Sequence, residues 1–176
     1  MRTEFRLSGS GGQGLLLAGI VLADAAIHED LNVVQTQSYG PEARGGSSKA
    51  EVVISDTDID YPKCTIPDYL LCLTADSYKA YGPAQQDKGV IIVDSSIQLN
   101  PEIKAKTVSV PIIETTKKVG KVIVTNMVAL GVVGGLSGIV KQGTLEKAVL
   151  DRVPKGTEEL NVTAIKAGFE LASQVK

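Results

Sequence analysis

Gly9, Gly11 and Gly14 stand at G-x-G-x-x-G spacing inside Leu7-Ser8-Gly9-Ser10-Gly11-Gly12-Gln13-Gly14-Leu15. Residues without a Cβ permit a tight turn with φ > 0 and let a ligand come close to the main chain. The stretch follows a short strand-like run and opens a long apolar helix. The free N–H groups at the start of that helix would face the ligand, and the helix dipole would favour an anion. The chemistry expected is binding of a phosphate-bearing ligand through the backbone N–H groups of Gly9, Ser10, Gly11, Gly12, Gln13 and Gly14. A strand-to-helix turn that binds nothing is the plainer reading. The loop is richer in glycine than such a turn requires, which favours binding.

The ligand does not read as a dinucleotide. An NAD site places Asp or Glu at the end of the second strand, about 20 residues on, to hold the ribose. Here that strand ends Gln35-Thr36-Gln37-Ser38, and the first acid afterwards, Glu42, falls in a loop. No arginine cluster marks NADP. The loop itself, Ser38-Tyr39-Gly40-Pro41-Glu42-Ala43-Arg44-Gly45-Gly46-Ser47, leaves the sheet on the same edge as the glycine loop. Ligands of open α/β sheets bind beyond the carboxyl ends of the strands, where both loops lie. Arg44 could pair with a phosphate through two parallel hydrogen bonds. The competing reading is a surface turn with a weak Glu42–Arg44 ion pair. The glycines beside Arg44 favour close approach of a ligand or partner.

Other reactive side chains are few. Thr74-Ala75-Asp76-Ser77 and Asp94-Ser95-Ser96 end two strands, where capping and turn roles are expected, with Asp76 capping the next helix. His28 stands at the exposed end of the first helix with no recognisable Ser or Cys nucleophile beside it, so no catalytic residue is expected. Cys64, Cys72 and His28 cannot supply four thiolates to an iron–sulfur cluster and lack zinc-site spacing, so no metal is expected. Cys72, in Tyr69-Leu70-Leu71-Cys72-Leu73, reads as a core residue.

The elements that position these groups follow from periodicity. Strands are expected at Glu4–Leu7, Asn32–Gln37, Lys49–Ser55, Tyr69–Leu73, Val90–Asp94 and Thr107–Ile112. Helices are expected at Leu15–Ile27, Asp76–Gln86, and from about Glu114 onward at Val122–Val140, Leu145–Val153 and Glu158–Val175. About ten residues without helical pattern join the second and third strands, too few for a parallel crossover, so these two should pair antiparallel. The fold class is α/β: a Rossmann-like mixed sheet, mostly parallel with an antiparallel strand, helices on both faces and a helical C-terminal part.

A chain of 176 residues suits one domain over 1–176 with a sizeable core. Net charge −2 implies no nucleic-acid partner and no anionic membrane surface. Met1–Arg6 runs straight into a fold element, so no secretory signal is expected, and a cytoplasmic, reducing compartment fits. Val122–Val140 is 19 residues without a charge, with Gly131 and Gly135 four apart. That length admits a membrane span. Its polar and glycine residues favour a buried helix whose small residues approach the sheet or another chain.

At Gly9-Ser10-Gly11-Gly12-Gln13-Gly14, Leu17-Ala18-Gly19, Gln37–Gly46, Ala50–Ser55 and Thr125-Asn126-Met127-Val128-Ala129-Leu130-Gly131 the sequence resembles the gamma subunit of 2-oxoacid:ferredoxin oxidoreductases. The resemblance extends to domain III of single-chain pyruvate relatives. The Ser-Tyr-Gly-Pro-Glu-Ala-Arg-Gly-Gly run is far more specific than the glycine loop. The version here looks most like the 2-oxoglutarate type, with branched-chain and pyruvate types behind it. The resemblance implies an assembly that oxidatively decarboxylates a 2-oxoacid to acyl-coenzyme A and passes electrons to ferredoxin. It implies alpha and beta subunits as partners, with a delta subunit as a further candidate. Thiamine diphosphate and iron–sulfur clusters are then held by those partners. This chain is expected to help bind coenzyme A through Gly9–Gly14 and Arg44, with Asn126 as a weaker candidate that supports the loop. Single-chain pyruvate relatives carry lysines in comparable loops; here only Arg44 and Lys49 lie nearby, so part of the phosphate contact is expected from a partner. Two other readings stay open: a stand-alone nucleotide-dependent oxidoreductase, and a purely structural subunit. A homodimer of the isolated chain is a further expectation, since a surface built for partners exposes apolar area.

Overall fold

The computed structural model describes residues 1–39, 46–85 and 89–175. Six strands, β1 (Arg2–Ser10), β2 (Asn32–Tyr39), β3 (Ser47–Ser55), β4 (Tyr69–Cys72), β5 (Val90–Asp94) and β6 (Lys106–Val110), form one sheet. Among the described residues there are six α-helices: α1 (Leu15–Ile27), α2 (Ala75–Tyr81) and α4 (Thr125–Ser137) pack on the sheet, while α3 (Ile112–Val119), α5 (Gln142–Leu150) and α6 (Glu158–Gln174) pack chiefly on other helices. The strand order is β2-β3-β1-β4-β5-β6. β1, β4, β5 and β6 are parallel, while β3 runs antiparallel to both β1 and β2. The mixed α/β sheet and the antiparallel second and third strands are as predicted, because the short link leaves no room for a crossover.

Alternation along the strands builds two unlike faces. Leu7, Ile54, Leu71 and Ile92 join α1, α4, α5 and α6 in the main core. Leu70, Cys72, Ile91 and Val93 turn the other way, against Tyr78 of α2 with Ile97 and Ala105. Where β1 and β3 meet, that second face is ionic. Arg6 Nε lies 2.6 Å and Lys49 Nζ 3.1 Å from the same oxygen of Glu51. Both cations also stand over the Tyr81 ring, 5.2 and 5.8 Å from its centre.

Several boundaries depart from expectation. α2 ends at Tyr81, followed by a 3₁₀ turn at Gly82–Ala84, rather than spanning Asp76–Gln86, and α5 is Gln142–Leu150 rather than Leu145–Val153. β2 runs on to Tyr39 and β4 stops at Cys72. β1 is longer than Glu4–Leu7, because β3 pairs with it over its whole length, from Arg2↔Ser55 to Ser10↔Ser47. The last strand stops at Val110 rather than Ile112. Pro111 has no N–H to give the sheet, and Ile113 N, in the first turn of α3, donates to Asp94 Oδ2 at 2.8 Å. Val122–Val140 is not one helix: a 3₁₀ turn at Val122–Val124 precedes α4, and Gly138 with φ 64° ends it. Among the described residues no helix is long and apolar enough to cross a membrane.

Gly131, Gly134 and Gly135 of α4 pack on α6, not on the sheet. A Cβ on Gly131 would stand 2.9 Å from Gly168 Cα, and one on Gly168 2.7 Å from Gly131 Cα. The two helix backbones touch. This crossing fixes the start of α4 beside the glycine loop.

Candidate functional site

β1 carries Gly9 and Ser10 to its carboxyl end, and α1 starts at Leu15 directly beyond the loop. Gly12 (φ 84°) and Gly14 (φ 72°) both need the left-handed backbone region, which only residues like glycine enter without strain. The loop is held by its own groups. Ser10 N donates to Gln13 Oε1 at 2.7 Å, Gly11 N to Gly46 O at 2.6 Å, and Gln13 N to Ser10 O at 3.4 Å. From the far side, Asn126 Nδ2 donates to Gly14 O at 3.0 Å while its Oδ1 accepts from Met127 N at 3.0 Å. Asn126 is buried, at 4% exposure. It ties the end of the loop to the start of α4, a supporting geometry.

The glycines differ in what surrounds them. A Cβ on Gly9 would run into Gln13 Oε1 and stand 3.1 Å from Leu15 Cδ1; one on Gly14 would meet Asn126 Nδ2 at 2.5 Å. A Cβ on Gly12 would meet nothing within 4 Å among the described residues, so it faces open space there. α1 begins with no side chain capping it. Its first amides thus form an uncapped, electropositive helix end beside Gly12.

The loop separates two cavities. One, of about 370 Å³, lies at the carboxyl ends of β1 and β4, walled by Gly9, Ser10, Ser47, Thr74, Asp76 and Tyr81. The other, of about 240 Å³ and mostly apolar, is walled by Gly12, Gly14, Leu17, Ile123, Asn126 and Leu160. The first carries hydroxyls and one carboxylate. The second sits where α1, α4 and α6 begin.

Asp76 does not cap α2. Thr74 does: its Oγ1 accepts from Ser77 N at 3.1 Å, and Ser77 Oγ returns a bond to Thr74. The Thr-x-x-Ser spacing carried that signal, since a Ser hydroxyl three residues on can close the box. Asp76 stands exposed on the cavity rim instead. Asp94, 2% exposed, is occupied by Ser96 N at 2.9 Å and Ile113 N, a turn-and-cap role. His28 ends α1, exposed to solvent. Arg44, with Gly40 to Gly45 around it, lies outside the described residues. Lys49 is engaged by Glu51 and Tyr81. Tyr81, which walls the cavity, had no signal in the sequence, because its neighbours Arg6 and Lys49 come from strands far away in the chain.

Both thiols are held protonated. Burial pushes Cys64 up to about 12 and Cys72 up to about 11. Among the described residues no group of three or more His, Cys, Asp or Glu could hold a metal ion.

Comparison with known proteins agrees with this architecture. Residues 4–171 match the family described as pyruvate ferredoxin/flavodoxin oxidoreductase. The chain is 47% identical to the 2-oxoglutarate synthase subunit KorC of Methanocaldococcus jannaschii, over 99% of this chain and 96% of that one. It is 32% identical to the ketoisovalerate oxidoreductase subunit VorA of Methanothermobacter thermautotrophicus, over 96% of this chain but 36% of the longer relative. The solved gamma subunit of a keto/oxoacid ferredoxin oxidoreductase from Geobacter sulfurreducens superposes with a TM-score of 0.88 at 45% identity, covering 100% of this chain and 99% of that one. The fold also recurs, with a TM-score of 0.89 at 22% identity, in 2-oxoglutarate:ferredoxin oxidoreductase from Magnetococcus marinus, whose structure has 2-oxoglutarate, coenzyme A and succinyl-CoA bound. There it spans 99% of this chain and 32% of the other. By match length and identity together, this chain belongs to the pyruvate ferredoxin/flavodoxin oxidoreductase family.

Proposed function

We propose that this chain is the gamma subunit of a 2-oxoacid:ferredoxin oxidoreductase of the 2-oxoglutarate type, acting in the cytoplasm. The observation that carries this is its near-full-length, 47% identity to a 2-oxoglutarate synthase subunit. The assembly converts a 2-oxoacid and coenzyme A to acyl-coenzyme A and CO₂, and passes two electrons to ferredoxin. Thiamine diphosphate and iron–sulfur clusters belong to the alpha and beta subunits, with a delta subunit as a further partner. Those groups supply decarboxylation and electron carriage. This chain's two buried, protonated thiols suit neither task.

The contribution of this chain is to hold coenzyme A by its phosphates. Gly12, open to solvent, and the uncapped first amides of α1 offer an anion a close approach to backbone N–H. Ser10, Gly11 and Gln13 keep that loop in shape, and Asn126 anchors it from behind. Arg44 adds charge to the same phosphates. Holding the nucleotide end restricts where the thiol can reach, which favours its attack in the partner's centre. No catalytic residue is assigned here. A stand-alone nicotinamide enzyme fits less well, because β2 runs out through Gln37, Ser38 and Tyr39 with no carboxylate for a ribose.

The test is Gly12→Asp in the assembled complex, with Gly12→Asn as its uncharged partner. Asp and Asn both tolerate the left-handed backbone, so only the charge differs. The Asp variant should raise the KM for coenzyme A by about tenfold, equivalent to ~1.4 kcal/mol, with the KM for the 2-oxoacid unchanged. The Asn variant should move it far less. A complex that assembles with an unchanged coenzyme A KM overturns the binding role. A variant chain that folds but no longer assembles points to a purely structural subunit.

A further inference from the structure

The sheet has two edges, and they are built differently. At one edge β6 is five residues long, starts at Lys106, and follows Lys104; both lysines are exposed. Short length and charge are the ordinary means of keeping a strand edge from pairing with another chain. At the other edge β2 has eight residues, Asn-Val-Val-Gln-Thr-Gln-Ser-Tyr, with no charge and no proline. Its pairing with β3 runs without a bulge from Asn32↔Ser55 to Tyr39↔Ser48. Asn32, Thr36, Gln37 and Ser38 are exposed. The Gln35 side-chain amide reaches the Thr36 carbonyl only at 3.5 Å, too long to satisfy it well.

We propose that β2 is the contact through which two copies of this chain associate. The two β2 strands pair antiparallel across a two-fold axis and join two six-stranded sheets into one. The occupant follows from the asymmetry of the edges. Pairing of β2 with β6 of another copy would be head-to-tail and would not close, and the lysines of β6 oppose it. Pairing of β2 with itself closes at two copies. An antiparallel self-pairing sets each residue against another of the same strand, where like charges are destabilising. β2 carries none. The backbone groups along the edge supply the hydrogen bonds, and the register is set by the two-fold axis.

Sedimentation velocity of the full chain over a concentration series tests this, together with Thr36→Lys and Ile123→Lys. Ile123 is 80% exposed but lies on the helical side, outside β2. The wild-type chain is expected to pass from monomer to dimer. Thr36→Lys puts a positive charge near the middle of β2 in both copies and should weaken the dimer by about tenfold or more, ~1.4 kcal/mol. Ile123→Lys should leave it unchanged. Hydrogen exchange on the wild-type chain gives an independent readout: the β2 amides that point away from β3 should be protected at high concentration and exchange freely on dilution. A chain that stays monomeric overturns the proposal. So does a dimer that ignores Thr36→Lys, one that Ile123→Lys dissolves, or β2 exchange that does not depend on concentration.

Discussion

Two regions of this protein are rich in glycine, and they use it in opposite ways. At the α4–α6 crossing, Gly131 and Gly168 are filled against each other's main chain, with no room for a single methyl group. At the glycine loop, Gly12 holds a left-handed turn and faces open space. The first region uses the missing side chain to bring its own elements together. The second keeps a piece of main chain bare. A glycine motif read from spacing cannot separate these uses; what a Cβ would meet does.

The contrast predicts a graded series of costs. Gly168→Ala must push α6 away from α4, since the atoms in the way are backbone. It should cost about 3 kcal/mol, the upper end for overpacking, seen as a lower urea midpoint; a cost near zero would show that the helices slide apart freely. Asn126→Ala leaves Met127 N without its side-chain partner at a buried site and removes one of two bonds to Gly14 O, which keeps Ala18 N. About 2 kcal/mol is expected, with coenzyme A use falling alongside, which would mark Asn126 as support for the loop. Gly12→Ala introduces only the left-handed strain, about 1 kcal/mol. If it costs as much as Gly168→Ala, Gly12 is packed and the comparison fails.

One effect is absent at neutral pH and concerns the thiols. Cys64 and Cys72 ionise in the folded chain only near 12 and 11, above the ordinary thiol value of 9.0. Between 9.0 and those values the unfolded chain binds fewer protons than the folded one, so stability falls as pH rises through that window and is unaffected below it. A thermal-melt series across pH 8 to 11 checks the sign. Replacing both thiols with alanine should flatten the curve.

Much of this was legible beforehand. The bounds of α1, Leu15–Ile27, agree with the apolar recurrence at Leu16, Ile20, Ala23 and Ile27. The antiparallel pairing of β2 with β3 follows from loop length alone. What was hidden depends on partners distant in the chain. Gly131 looked like a helix-packing residue, but that it meets Gly168 is a matter of tertiary arrangement. Asp94 looked like a turn residue, and only the three-dimensional proximity of Ile113 shows it starting α3. The cap of α2 was misassigned to Asp76 because a carboxylate is a strong capping residue, while Thr74, two residues earlier, has the matching Ser77.

The bond from Asn126 to Gly14 joins residues 112 apart. The strand and helix flanking the loop are made early in synthesis, but its closing tie waits on α4. A nascent or truncated chain that ends before Asn126 has the glycines without the brace. The loop of the unfinished chain therefore has only its local bonds to hold it, and its long-range brace comes last.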